Sequence, residues 1–402
     1  MKHPDPVAVL EIGTSHTTLT LGEPLGGGRA RVIAKASIPS VGVRKSRIVD
    51  MQQVTYAIEA AVKSVAQNYN WSVVSATLIV SGPHVQMRKV SCQTPIEGGS
   101  VKEETMRKLT DHAWESASER NDRTLLEVSV LDYVVDDLPG ITNPLNMTGR
   151  LLTQHSLSID ASRDRVEDAR NAAMGANVQL TDEPIFAGTA AAMGVLSEED
   201  RSAGTLVIDL GGGCTSWTLY ADGVLAYTSV LGVGGDHVTS DIAHAFSLPQ
   251  TTAEQIKMKA SAVFSKERET CRIEIPATIT GGGGGSVSAR ALDTVVNARM
   301  RELFSIIRDS LDKAGVLHRI RGGIVLTGGA SQLDGAVKLA ETIFGCHTRL
   351  GQPIPLIEGL EKEPFPPAMA TVAGALAMLA ASSGDAEPEG GVFSSLFGRF
   401  FN

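Results

Sequence analysis

Several absences narrow the chain before any motif is read. It has only four cysteines, Cys92, Cys214, Cys271 and Cys346, with no Cys-x-x-Cys pair, and its histidines show no metal-ligand spacing. Neither a disulfide framework nor a zinc site organises it, and the thiols read as core or inert groups. Positive charge is not in excess: the formal net charge is −9, and no basic stripe offers phosphate neutralisation, which argues against a nucleic-acid binder. Proteins, a nucleotide or lipid are the partners to expect. No hydrophobic run is long enough to cross a bilayer, the longest covering residues 368–381. The opening Met1-Lys-His-Pro-Asp-Pro has no apolar stretch of the kind a secretion signal needs, so the body of the chain is expected in the cytoplasm.

What is present is organised around one stretch. Leu206-Val-Ile-Asp209-Leu-Gly211-Gly212-Gly213-Cys214-Thr215 is an apolar run that reaches a carboxylate and then a glycine triplet, after which Thr and apolar residues alternate to Tyr220. That pattern is strand, tight glycine turn, strand. Glycines let backbone N–H groups close on an anion, and Asp209 at the strand end stands where a hydrated Mg²⁺ would lie. The pattern occurs once earlier, as Val9-Leu-Glu11-Ile-Gly13-Thr14-Ser15-His16-Thr17, with Glu11 on Asp209 and Thr17 on Thr215. A dinucleotide fingerprint or a P-loop needs a helix after its glycines, and the P-loop also needs Gly-Lys-Ser/Thr; here a strand comes next. A glycine triplet alone reads as a flexible hairpin, but a matched pair points to two halves gripping one set of phosphates. With 402 residues, 43% hydrophobic and 20% charged, the chain is long enough for two cores, one lobe per half.

A third element, Gly322-Gly-Ile-Val-Leu-Thr327-Gly328-Gly329-Ala330-Ser331, is a buried-strand run into a glycine pair expected to open a helix beside adenosine or phosphate. In this order and spacing the three motifs resemble the phosphate-1, phosphate-2 and adenosine segments of the actin, sugar-kinase and DnaK-type ATPases. Further details resemble the FtsA family of bacterial division proteins: Glu183-Pro184 followed by small residues, Gly234-Gly-Asp-His-Val-Thr-Ser-Asp, Ser81-Gly-Pro-His84, and an amphipathic C-terminus.

The resemblance implies an α/β fold, two-lobed and actin-like (a duplicated ribonuclease-H-like ATPase fold), with an inserted subdomain in the first lobe and a C-terminal amphipathic helix. Residues 6–81, 160–200 and 365–382 would form the first core, and 82–159 the insert. Residues 201–236 with 302–364 would form the second core, 237–301 its small subdomain, 383–391 a linker and 392–402 a membrane-targeting helix. It implies ATP and Mg²⁺, with phosphates held by Gly13, Thr14, Ser15, Gly211, Gly212, Gly213, Cys214 and Thr215, and the rest of the nucleotide near Gly234, Gly235, Gly328, Gly329 and Ser331. Asp209 and Glu11 would hold Mg²⁺ through water. Glu254 and Lys257, three apart on one helix face, would lie against the ribose, and Glu183 would orient the attacking water. A solvated ion pair and a carboxylate favouring a helix N-terminus are the plain alternatives. Glu11 stands where aspartate is usual and His16 where lysine is frequent, so binding is expected to survive with hydrolysis slowed.

Taken in order, residues 30–38 read as a third strand, Asp50 as the cap of a helix carrying Val54, Ile58, Val62 and Val65, and residues 73–81 as another strand. In the insert, residues 101–120 read as a helix between strands, and the stretch from Asp136-Asp137-Leu-Pro-Gly as a polar loop. A helix is expected to start at Pro184, another to be capped by Thr251 or Thr252, and a long one to cover residues 289–314. Gly281 to Gly285 read as a mobile hairpin rather than a site.

Residues 382–391 are a linker by composition, but the last eleven residues are of another kind. There Val392, Phe393, Leu396, Phe397, Phe400 and Phe401 fill one half of a helix, holding four of the ten phenylalanines in the chain. Such an end docks on a partner or lies in a membrane interface, and the FtsA resemblance favours the membrane. The resemblance further implies filaments formed through lobe and insert contacts, other division proteins as partners, and recruitment of the C-terminal tail of FtsZ to the small subdomain, on a helix face carrying Arg290, Arg299 and Arg301. The place implied is the cytoplasmic face of the cell membrane at the division site. The competing readings are a small-molecule kinase or chaperone ATPase of the same fold, which has no use for the tail, and a pilus-assembly platform protein.

Overall fold

The computed structural model describes residues 5–275, 285–361 and 363–383. Two sheets repeat one plan. In the first, Arg29–Pro39, His16–Gly26 and Val7–Ile12 run antiparallel, and Val7–Ile12 then pairs in parallel with Ser75–Val80, which pairs in parallel with Gln179–Leu180. In the second, Val224–Leu231, Thr215–Ala221 and Thr205–Leu210 run antiparallel, and Thr205–Leu210 pairs in parallel with Gly323–Thr327 and that strand with Thr348–Leu350. Each opening hairpin is the centre of its sheet, so its glycine turn projects from the end of a strand buried on both sides.

Helix Met51–Tyr69 begins where expected, Asp50 accepting a hydrogen bond from the Gln53 N–H, and buries Val54, Ile58 and Val65. The insert is a four-stranded sheet ordered Gln86–Pro95, Leu151–Ser162, Arg123–Val135, Leu138–Ile141, with helix Glu103–Ser118 packing Leu109, Ala113 and Ala117 onto it. In the second lobe, helices Gly235–Phe246, Gln250–Lys257 and Ala289–Lys313 surround a separate core containing Ile242, Ile256, Met300 and Phe304. No described helix is long and apolar enough to cross a membrane.

Between the sheets cross two helices made of small residues, Ala187–Val195 and Ala370–Ser383. A Cβ on Gly374 would overlap the Ala190 carbonyl, and one on Gly194 the Ala370 carbonyl. Only glycine at both places lets the two backbones meet.

The structure departs from the sequence reading in several places. The helix after Glu183 starts at Ala187 and not at Pro184, because Ile185 and Phe186 first pair in parallel with Ile79 and Val80. Thr251 and Thr252 are inside helix Gln250–Lys257, which Pro249 precedes as the cap residue. The polar loop of the insert contains the strand Leu138–Ile141, reached by a turn with Asp136 at φ 54°. The glycine pair at 328–329 opens only a short 3₁₀ turn, Gly329–Gln332, and the α-helix waits until Ala336. Strand Ile357–Glu358, placed by its position in the second lobe, pairs with Arg29–Pro39 in the first sheet, and Ile357 and Leu360 belong to the first core. Gly285 begins the strand Gly285–Ser288, while the other four glycines of that run and the tail from 384 onward are outside the described residues.

The crossing gives a direct test. Gly374→Leu should cost on the order of 3 kcal/mol or more, since overpacked backbone contacts have nowhere to relax. A Ser382→Leu control in the half-buried last turn of the same helix should lie within about 1 kcal/mol of wild type by denaturant titration.

Candidate functional site

The two glycine turns are closed alike: the Gly13 N–H donates to the His16 carbonyl and the Gly211 N–H to the Cys214 carbonyl, each at 3.0 Å. They also meet. A Cβ on Gly212 would overlap Ser15 Oγ and one on Gly213 would overlap Thr14 Oγ1, so the tip of one hairpin rests on the tip of the other. A third loop closes in from the side, with Gly235 and Asp236 N–H groups donating to the carbonyls of Gly211 and Gly212, both at 2.9 Å. Gly234 is required at that contact, where a Cβ would strike both carbonyls. On the far side Gly328, at φ 82°, packs against Asp209, and Thr327 Oγ1 donates to the Pro367 carbonyl at 2.5 Å.

These loops line a cleft of about 1030 Å³ containing Glu11, Gly13, Thr14, Ser15, His16, Asp209, Gly211, Gly212, Gly213, Cys214, Gly328 and Gly329. A second cavity of about 810 Å³ shares Ser15, His16, Gly212 and Gly329 with it and adds Gly235, Glu254, Lys257, Met258 and Met300. The first is lined by the two glycine turns, the backbone suited to phosphates, and the second has the apolar walls a nucleoside needs.

The electrostatics of the cleft are unusual. Burial, with the facing Asp209 carboxylate, pushes Glu11 up to about 7, and burial pushes Asp209 up to about 6 against a hydrogen bond from Thr371. No lysine or arginine is among the described residues lining the cleft. Two carboxylates left facing each other without a counter-charge suit a hard cation. Among the described residues no three His, Cys, Asp or Glu side chains cluster as a metal cage, and a hydrated Mg²⁺ that keeps most of its waters fits two carboxylates better than a dehydrated ion does.

The remaining predicted residues divide. Glu254 and Lys257 form an ion pair at 2.7 Å at the edge of the second cavity, and Lys257 also reaches Thr239 Oγ1 at 3.0 Å. Thr215 and Ser331 are buried and serve the loops, donating to the carbonyls of Val233 (2.8 Å) and Gly328 (2.7 Å). Glu183 is half-buried, outside the lining of both cavities and ahead of a strand rather than at a helix start, with burial and Asp182 raising its carboxyl. Arg299 forks onto Asp241 at 2.6 and 3.0 Å, on the side of helix Ala289–Lys313 opposite Arg290 and Arg301, so the three arginines do not share a face.

Sequence reasoning missed Ser46, Asp236 and Thr371. Ser46 joins the cleft by its Oγ contact to Cys214 Sγ at 2.7 Å and by its N–H to Thr14 Oγ1 at 3.1 Å. Asp236 was visible in the Gly234-Gly-Asp motif as a carboxylate beside a glycine pair. Nothing local marks Ser46 or Thr371.

Sheets with one repeated strand order, a helix pair crossing between them and a cleft where two hairpin tips meet define the actin-like class. Solved structures agree: the chain superimposes on one from a PilM-PilN type IV pilus biogenesis complex with a TM-score of 0.63 at 18% identity, covering 93% of this chain and 98% of that one. It superimposes on MreB5 of Spiroplasma citri bound to AMPPNP with a TM-score of 0.52 at 15% identity, covering 92% and 94%. The family model for "Cell division protein FtsA" matches residues 206–374, and that for the "SHS2 domain inserted in FTSA" matches 82–159. Cell division protein FtsA of Escherichia coli K12 is 30% identical over 92% of this chain and 89% of its own, and that of Pseudomonas aeruginosa 30% over 86% and 82%. The chain belongs to the FtsA family of actin-like cell division proteins.

Because the folded cleft holds Glu11 and Asp209 above their usual values, the folded state binds more protons than the unfolded one between about pH 4 and 7. The melting temperature of the ligand-free protein should therefore fall as pH rises through that window. Glu11→Gln should flatten the fall and raise the melting point at pH 8 by roughly 2–4 °C; a pH series by scanning calorimetry reads both.

Proposed function

We propose that the chain is an ATP-binding cytoskeletal protein that forms filaments on the inner face of the cytoplasmic membrane and tethers the FtsZ ring there during division. The observation that supports this most is the pair of matched hairpins meeting around Glu11 and Asp209. Their amides would hold the phosphates, and Mg²⁺ carried by the two carboxylates would supply the positive charge the lining lacks. MreB5, of the same fold, is a nucleotide-bound precedent for that occupancy. Turnover is slow in this reading: His16 is the only basic side chain at the tips, and Glu183 lies outside the lining. Filament contacts run through the lobes and the insert, with other division proteins as further partners.

Membrane attachment rests on the sequence of residues 392–402, which lie outside the described residues. Six large apolar side chains can each contribute on the order of 1 kcal/mol at an interface. Arg399 is the one cation there, with Asp385, Glu387 and Glu389 just upstream, so hydrophobic insertion dominates over charge. Assembly into filaments multiplies the effect by avidity.

In liposome co-sedimentation with Mg·ATP, the full chain should pellet with little dependence on salt, and Phe397→Glu with Phe400→Glu should abolish pelleting while leaving nucleotide binding intact. Pelleting of a tail-deleted chain with protein-free liposomes would refute the membrane reading. Electron microscopy of the same samples tests filament formation.

For the FtsZ tail, the face to alter is narrower than the sequence suggested. Arg290 stacks over the Phe264 ring at 4.2 Å, has only a long 3.9 Å ion pair with Glu269 and shares its helix face with exposed Arg301, whereas Arg299 is held closely by Asp241 and Glu302. Arg290→Glu with Arg301→Glu should weaken binding of an FtsZ tail peptide about tenfold, the loss of a desolvated charge contact. Unchanged affinity by fluorescence anisotropy would remove this face from consideration.

A further inference from the structure

Beside the nucleotide cleft is a further, partly open cavity, and Ile12, Ser46, Ile79 and Ser81 line both spaces. Its far wall is the start of helix Arg163–Gly175, and the group that stands out there is Arg165. Its Nη1 is buried and has no hydrogen-bond partner, and the side chain has no ion pair among the described residues. Its neighbours are committed. Arg123 is held by Asp160 at 2.6 Å and by the His84 carbonyl at 2.7 Å, and Arg163 donates to the Arg123 carbonyl at 3.2 Å. A guanidinium carries five donors in a fixed fork and stays charged, so a buried arm left unpaired is costly unless something accepts from it.

The rest of the cavity fits an acceptor with negative charge. Burial first, then the Arg165 and Arg123 charges, take His84 down to about 4, leaving a neutral ring whose N–H can donate. Ser46 and Ser81 line the cavity as well, but their hydroxyls are engaged with Cys214 Sγ, and Arg165 lies in the first turn of its helix, where the backbone dipole favours anions. Asp168 lines the same space and opposes an anion, which restricts the favourable part to the end holding Arg165 and His84 and keeps affinity modest. The turn that carries Ser46 is held under backbone strain: Lys45 and Ser46, neither of them glycine, sit at φ 50° and 55° between Val43–Arg44 and Arg47–Ile48.

We propose that this cavity is a binding site for a small oxyanion of the size of inorganic phosphate, with the buried arm of Arg165 as its principal donor and the neutral His84 ring as a secondary one. The site is distinct from the cleft and goes beyond the nucleotide reading, on which it does not depend.

The test uses the full chain and inorganic phosphate, with binding measured by ³¹P NMR titration in the absence of nucleotide and again with saturating Mg·ADP. The expected result is saturable phosphate binding in both conditions. Arg165→Gln should weaken it about tenfold or more, and Arg165→Lys, which keeps the charge but loses the fork, roughly threefold. Both variants should keep the circular dichroism and Mg·ADP affinity of the wild type. Should Arg165→Gln fail to fold, Arg165→Lys carries the comparison. Phosphate binding that is unchanged in a folded variant, that is absent in the wild type, or that Mg·ADP displaces completely would overturn the proposal. Loss of Mg·ADP binding alone, with Arg165-dependent phosphate binding intact, would count against the nucleotide reading and leave this site standing.

Discussion

The arrangement depends on one close approach, the crossing of helices Ala187–Val195 and Ala370–Ser383 at Gly194 and Gly374. Carbonyl oxygens of one helix sit where a side chain on the other would have to be, so the spacing between the helices is set by backbone alone. Each helix leads directly into the site: Ala187 lines the cleft at the start of one, and Met369 and Thr371 line it at the start of the other. A wider crossing would draw apart the hairpin tips, whose own contact, Ser15 on Gly212 and Thr14 on Gly213, is equally intolerant of added atoms. Close packing at the crossing and at the tips is thus a single constraint expressed at two places.

That closeness creates the electrostatic character of the site. Bringing the ends of two buried central strands together brings Glu11 and Asp209 together, and burial makes each carboxylate reluctant to ionise. The fold therefore holds a destabilising pair in the ligand-free state, a cost that a cation would relieve. The longer Glu11 side chain does not break the symmetry of the hairpins, since both turns keep the same 3.0 Å closing hydrogen bond.

How much of this was legible in the sequence depends on how local each feature is. The hairpins, the third strand with its glycine pair and the helix capped by Asp50 were legible because strand, turn and cap chemistry lie within a dozen residues. The bounds given for the insert came from the family resemblance and not from local chemistry, and the matched family segment covers the same residues, 82–159. What failed was non-local. Ile185–Phe186 and Ile357–Glu358 are two-residue strands that exist only because a partner strand is waiting, so Pro184 and the second-lobe boundary were misread. Arg299 looked available because nothing in the sequence reveals that Asp241 lies across from it. Ser46 reaches the cleft from a hairpin far from either glycine turn, and its strained backbone has no Asn or Gly to announce it.

The insert is joined to this machinery by a buried carboxylate. Glu127, on strand Arg123–Val135, accepts hydrogen bonds from Ser129 at 2.5 Å and from Thr189 at 2.6 Å, with no cation paired to it among the described residues. Burial raises its carboxyl, and the two hydroxyls pull against that rise. Thr189 lies two residues beyond Ala187 of the cleft lining, on the same helix that carries the Gly194 crossing. A group this expensive to bury is satisfied only in the observed geometry, since displacing either hydroxyl leaves a charge or an unpaired acceptor in the core. The joint between insert and connecting helix is therefore narrow in the positions it accepts. A shift of that helix at the cleft moves Thr189 with it, and Glu127 must follow or lose its partner, which ties the insert to the nucleotide end of the fold through a side chain and not through packing alone.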